Sequence, residues 1–164
     1  MNISAPDRKI LRDLAKQVAE IGNDPIQEQR AELWTQHNDL ESKRPMILTF
    51  PEGSWRELLP DSELQTSENC PLRGLERNLR RRIYYWDHMY DDNVIEPMIA
   101  CPIVRENTGW GLNVETTASG ESTGADHFES VIDDRSDLEK IQMPQVTVDW
   151  DATEKRYNEH QDLF

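Results

Sequence analysis

The segment Pro71–Met89 constrains the fold more than any other part of the chain. Leu72, Leu75, Leu79, Ile83 and Trp86 recur at steps of 3, 4, 4 and 3, the spacing that lays one apolar stripe along an α-helix. Arg73, Arg77, Arg80 and Tyr84 follow the same spacing on another face, and Asp91–Asp92–Asn93 stops the run. A helix this one-sided must lie on apolar surface, and the rest of the chain offers little. Leu, Ile, Val and Phe make up 35 of 164 residues, about 21%, against a formal net charge of −14. That lies just above the roughly 20% below which a highly charged chain stays unfolded. Five Trp and four Tyr add large apolar area. The expectation is a thin core, part of whose surface a partner covers.

Elements placed around this helix give an α+β class: an N-terminal helical hairpin, one long Arg-rich helix, and short mixed or antiparallel strands. Asp7 reads as the cap of a first helix with Ile10, Leu11, Leu14, Val18 and Ile21 on one stripe and Gly22 at its end. Asp24–Pro25 opens a second by the cap-then-proline pattern, with Ile26, the Arg30 stem, Leu33, Trp34 and His37 inward. Met46–Phe50 (MILTF) reads as a short buried strand. Pro51–Leu59 closes into a helical turn or two near Ser54, and Pro60–Asn69 is irregular. Val94–Val104 is extended, but Pro97 and Pro102 confine it to an edge or a bulge. Thr116–Gly124 reads as a mobile loop or wide hairpin turn, and His127–Ile132 as a half-buried hairpin strand. Ser136 caps a short turn over Asp137–Ile141. Val146–Val148 is an edge strand, and Asp151 caps a last helix that runs to Phe164. The organisation expected is one module: a helical hairpin over 1–42, an α+β body over 43–150 and a terminal helix over 151–164.

Several function classes drop out. No run of 18 apolar residues occurs, so no span of a membrane is expected. Met1–Arg12 is polar and charged and does not read as a secretory signal. The acidity opposes binding to phosphate backbones, and it is uneven: residues 106–164 hold 14 acids and 4 bases. Cys70 and Cys101 are expected as free thiols of a cytoplasmic protein rather than one bridge. A complete (β/α)₈ barrel needs about 250 residues, more than this chain has.

The residues that could carry chemistry are few. His37, Cys70, His88, Cys101, His127 and His160 stand apart, with no CxxC, HxH or HExxH spacing for zinc. Gly53–Ser54–Trp55 lacks the second glycine of a nucleophile elbow, and Gly109–Trp110–Gly111 is followed by no helix. Cys101, between Ala100 and Pro102, reads as a core thiol. Asp91–Asp92 and Asp133–Asp134 read as solvated turn carboxylates. Glu96, between Ile95 and Pro97, reads as a buried carboxylate needing an arginine partner. Arg77 and Arg80–Arg82 form a basic patch that either holds an anionic group or pairs with the chain's own acids. Trp55, Trp86 and Trp110 either line a cavity for a flat ligand or fill the core. His88 falls at the carbonyl end of the Arg-rich helix. The pocket or interface candidates are therefore Trp55, Arg77, Arg80, Trp86, His88, Glu96 and Trp110.

Taken in order, Pro51–Trp55 (PEGSW), Tyr85–Met89 (YWDHM), Glu96–Pro97, Cys101–Pro102–Ile103, Gly109–Trp110–Gly111 and Ile141–Pro144 (IQMP) give the chain a likeness. It resembles the N-terminal region of the uroporphyrinogen decarboxylase-like family, nearest the branch grouped with corrinoid-dependent methyltransferases. The resemblance implies a module that precedes a catalytic barrel and completes its pocket or a subunit interface. It implies partners in the barrel chain or a second subunit, and in a corrinoid protein. Corrinoid and zinc would belong to the complete enzyme, with no ligand on this chain. The other reading of the same residues is a free-standing acidic protein-binding module without catalysis.

Overall fold

The computed structural model describes residues 3–120 and 124–164. The chain forms two compact units, Met1–Ala100 with Asn158–Phe164 and Cys101–Tyr157. The class is α+β, with two small antiparallel sheets and no closed barrel among the described residues.

The first unit is built on α1 (Ala5–Gly22) packed along α4 (Arg73–His88). Leu14 and Val18 of α1 meet Leu79 of α4 and Ile95 in one buried cluster, and Leu11 joins Cys70, Leu72 and Leu163 in a second. Leu11, Leu79 and Leu163 are wholly buried, worth about 2 kcal/mol each by area. The cap of α1 is Ser4, not Asp7: the Ser4 Oγ accepts from the Asp7 N–H at 3.2 Å. Asp7 is buried in the first turn instead, where it accepts from the Ser67 N–H at 2.8 Å and hydroxyl at 2.9 Å. A carboxylate there also suits the positive end of the helix dipole.

A short turn leads to α2 (Pro25–Asn38), capped by Asp24 as expected. Its inner side is more polar than the stripe suggested. Gln27 is its buried residue and accepts from the Ile95 N–H at 2.9 Å. Trp34 donates to the Asp92 carbonyl at 2.8 Å, and Arg30 to the Asn93 carbonyl at 3.0 Å. Thus α2 holds the loop after α4 by hydrogen bonds more than by apolar contact. Gly22 lies against that loop as well: a Cβ on it would come within 2.5 Å of the Pro97 nitrogen.

Met46–Phe50 is not a buried strand. Ile47 and Phe50 are 61% and 71% exposed. The segment is held by side chains, because Asp91 and Asp92 are buried rather than solvated. Asp92 accepts a bidentate pair from Arg44, at 2.5 and 2.8 Å, and the Ile47 N–H at 2.9 Å. Asp91 accepts the Thr49 N–H at 2.9 Å. After it come α3 (Trp55–Leu58) and an irregular run that wraps the start of α4.

The second unit pairs β1 (Arg105–Asn107) with β4 (Val146–Val148), and β2 (Thr116–Thr117) with β3 (His127–Phe128). The β1–β4 register sets Glu106 opposite Thr147. The expected edge strand at Val146–Val148 is present, but His127–Ile132 forms only the two exposed residues of β3. Val94–Val104 forms no strand. Of the Thr116–Gly124 turn, residues 121–123 lie outside the described residues. Asp134, not Ser136, caps the turn Arg135–Lys140, in a capping box with Asp137. Asp149, not Asp151, accepts the Ala152 N–H at the start of α5 (Trp150–Leu163).

The last turn of α5 belongs to the first unit. There Arg8 donates to the Asp162 carbonyl at 2.8 Å and Arg12 to the Leu163 carbonyl at 2.5 Å. These arginines occupy carbonyls that the end of a helix leaves without intrahelical donors.

Candidate functional site

The arginine-rich face of α4 borders two clefts in the first unit. The first, about 400 Å³, lies between α1 and α4. Ile10, Leu14 and Ile83 supply apolar walls, and Gln17, Arg80, Tyr84 and His88 supply polar edges. The steps 10–14–17 on α1 and 80–84–88 on α4 are the helical spacings that bring side chains to one face. The second cleft, about 450 Å³, is lined by Trp55, Leu59, Asp61, Arg77 and Arg81.

Bonded to Gln65 and Arg80, which line the first cleft, is Glu76, a carboxylate wholly removed from solvent. It accepts the N–H groups of Gln65 at 2.7 Å and Thr66 at 2.9 Å, the Thr66 hydroxyl at 2.6 Å, and Arg80 Nε at 2.7 Å. Burial pushes its pKa up, but these donors outweigh burial and hold it below the usual carboxylate value. It is therefore a fixed anion, unsuited to giving up a proton near neutral pH. Arg80 is held by Glu76 and lines the cleft.

The other arginines are also engaged within the chain. Arg77 pairs with Asp61 at 2.7 Å. Arg81 lies 5.0 Å from the centre of the Trp55 ring, a cation–π distance. Arg82 donates to the carbonyls of Met98, at 2.8 Å, and Glu96. Trp55 is buried, edge-on to Tyr84 and Tyr85 at 5.6 and 5.5 Å. The rings of Tyr84 and His88 are 4.4 Å apart.

Of the candidates named from sequence, Arg80 and His88 share the first cleft, and Trp55 and Arg77 share the second. Trp86 is half-buried against the core, with Arg30 5.9 Å from its ring. Trp110 is 55% exposed in the second unit. Two expectations need correction. Glu96 is exposed, and Arg82 reaches its backbone carbonyl rather than closing on a buried carboxylate. Cys101 is half-exposed, whereas Cys70 is the buried thiol, and both are free. The buried acids that matter are Asp7, Glu76, Asp91 and Asp92. Glu76 had one legible sign, its place four residues before Arg80 on a helix.

No group of three His, Cys, Asp or Glu side chains among the described residues is placed to hold a metal. No helix among the described residues is long and apolar enough to cross a membrane. No family model, curated protein or solved structure matches the chain.

The buried carboxylates set the pH response. Hydrogen bonds from Arg44, opposed by burial and helped by the Ile47 N–H, bring Asp92 down to about 2. The Ser67 N–H and the Ser4 hydroxyl lower Asp7, and Glu76 is lowered as described. A depressed carboxyl stabilises the folded state fully above its unfolded pKa, about 4. That contribution disappears as pH falls toward the folded value. Thermal midpoints followed by circular dichroism should stay nearly level from about pH 7 to 5 and drop steeply between about pH 4 and 2.

Proposed function

We propose that this chain is an assembly module of a uroporphyrinogen decarboxylase-like, corrinoid-dependent methyltransferase. In this reading it completes the pocket or interface of a catalytic barrel carried by another chain, and it does no chemistry alone. The observation that supports the reading is how the polar groups are used. The arginines and buried acids around α4 are committed to structural pairs, while large apolar side chains such as Ile47, Phe50, Tyr90 and Met98 remain at the surface. A scaffold that fixes its charges internally and exposes apolar surface is suited to contact rather than proton transfer. The order of sequence motifs supplies the family, and the Arg80–His88 cleft is the part offered to the barrel's substrate.

The test is co-expression with a uroporphyrinogen decarboxylase-like barrel protein, followed by size-exclusion chromatography and a methyl-transfer assay with a corrinoid protein. The expected result is a co-eluting complex whose activity exceeds that of the barrel alone. Two separate folded species with no change in activity would overturn the proposal and favour the free-standing acidic module.

A further inference from the structure

The arginines of α4 divide by what their partners do to their charge. Arg80 closes on buried Glu76, so that pair is neutral. The second cleft is not neutral, because Arg56, Arg77 and Arg81 line it against one carboxylate, Asp61. Arg77 donates to Asp61 only through Nη2, at 2.7 Å. Arg81 makes no ion pair among the described residues, and its Nε has no hydrogen-bond partner. The Trp55 ring, 5.0 Å away, orients Arg81 without cancelling its charge. The Arg56 side chain has neither a hydrogen bond nor an ion pair among the described residues. One turn upstream, Arg73 bonds the carbonyls of Thr66 and Asp61, which carry no charge.

Like charges one turn apart on a helix repel, and Arg77 and Arg81 have that spacing. Asp61 is a weak counter-ion: its side chain is 73% exposed, and a surface pair of this kind contributes little. The chain has 32 acidic against 18 basic side chains, enough acids to pair every base. A cleft left with surplus positive charge is therefore set apart from the rest of the molecule. We infer that it binds the phosphoryl group of a small phosphate monoester.

Arg56 comes from α3, and Arg77 and Arg81 from α4. Each guanidinium offers a fork of N–H donors suited to phosphate oxygens. A phosphoryl dianion has three terminal oxygens for separate arginines, whereas a planar carboxylate has two and is filled by one bidentate arginine. The floor of the cleft is firm: Trp55 and Leu59 are each 8% exposed, and Tyr84 and Tyr85 hold the Trp55 ring edge-on. A volume of about 450 Å³ suits a phosphate carrying a small organic group. A nucleic-acid chain or other long polyanion would meet the acidic remainder of the protein, which favours a small ester. Asp61 then acts as a built-in competitor that holds Arg77 until phosphate displaces it. The site is separate from the Arg80–His88 cleft and needs no barrel chain, so its failure and that of the assembly reading are separately visible.

Isothermal titration calorimetry on the full chain, with inorganic phosphate and glycerol phosphate at about pH 8, where both are mainly dianions, tests it. The wild type is expected to bind both with a Kd of about 1 mM. Malonate, a dicarboxylate of equal charge, is expected to bind about tenfold more weakly. Arg77→Gln and Arg81→Gln are each expected to weaken phosphate binding about tenfold. Asp61→Asn is expected to tighten it about fivefold, because the competitor is gone while the Asp61 carbonyl still serves Arg73. Glu20→Gln removes the same charge from an exposed position on α1 and is expected to leave binding unchanged. Should Arg81→Gln misfold by circular dichroism, Arg56→Gln decides, since that side chain gives up no bond within the chain; it is expected to weaken binding about fivefold. A wild type that binds phosphate no better than malonate would overturn the inference. So would a tightening by Glu20→Gln equal to that of Asp61→Asn, or a phosphoserine peptide that binds more than about tenfold tighter than glycerol phosphate.

Discussion

Changing Glu76 to Gln is expected to destabilise the first unit by about 3 kcal/mol, read as a lower urea midpoint with an unchanged slope. The size follows from the number of donors aimed at one buried group. Two backbone N–H groups, a hydroxyl and a guanidinium meet the two Glu76 oxygens within 2.9 Å. An amide of the same shape must turn its NH₂ toward one set of those donors. Some of them are then left dry and unpaired, at about 1–3 kcal/mol each. Arg80 also loses the anion that orients it, though it is 21% exposed and can turn to water. Thr66→Val, which removes the hydroxyl alone, is expected to cost about 1 kcal/mol. A loss below about 1 kcal/mol for Glu76→Gln would show that the carboxylate is not the clamp argued for.

Gly22→Ala is expected to cost a comparable amount, about 3 kcal/mol, at the upper end for overpacking. The added Cβ would stand 2.5 Å from the Pro97 nitrogen, 2.8 Å from its Cα and 2.9 Å from the Glu96 carbonyl carbon. All three are backbone atoms, so no side chain can swing aside. A helix-ending glycine exchanged for alanine elsewhere changes stability by about 1 kcal/mol or less. Gly74→Ala is the control, because a Cβ there meets nothing within 4 Å. Urea denaturation followed by tryptophan fluorescence compares the two variants. Equal stabilities would show that the end of α1 and the Glu96–Pro97 turn are not in close contact.

The α4 helix was legible because its stripe is local: spacing alone places Leu75, Leu79 and Ile83 on one face. The caps were less legible. Ser4 rather than Asp7, and Asp149 rather than Asp151, were each displaced by two or three residues. Several polar side chains near a helix start can serve, and burial decides among them. The acids misled most. Asp91 and Asp92 sit in a polar turn by sequence, yet the backbone of residues 47 and 49 needs acceptors and finds them there. Glu96 looked buried between Ile95 and Pro97, but its neighbour Ile95 turns inward and Glu96 therefore turns out. Apolar content predicted burial of Met46–Phe50, whereas backbone bonding to those aspartates sets its inward edge. Within the candidate site, Arg80 and His88 were readable from helical spacing. Their support from Glu76 and the 65–66 backbone was not, since it joins a helix to an irregular run.

The clasp between α1 and the last turn of α5 also bears on how the polypeptide matures. Arg8 and Arg12 hold carbonyls about 150 positions later in the chain, and Leu163 fills the cluster around Leu11. A ribosome delivers residues in order, at about 5–20 per second. The nascent N-terminal helices must therefore wait, with part of their apolar surface wet, until translation has passed Leu163 and the whole second unit has already emerged.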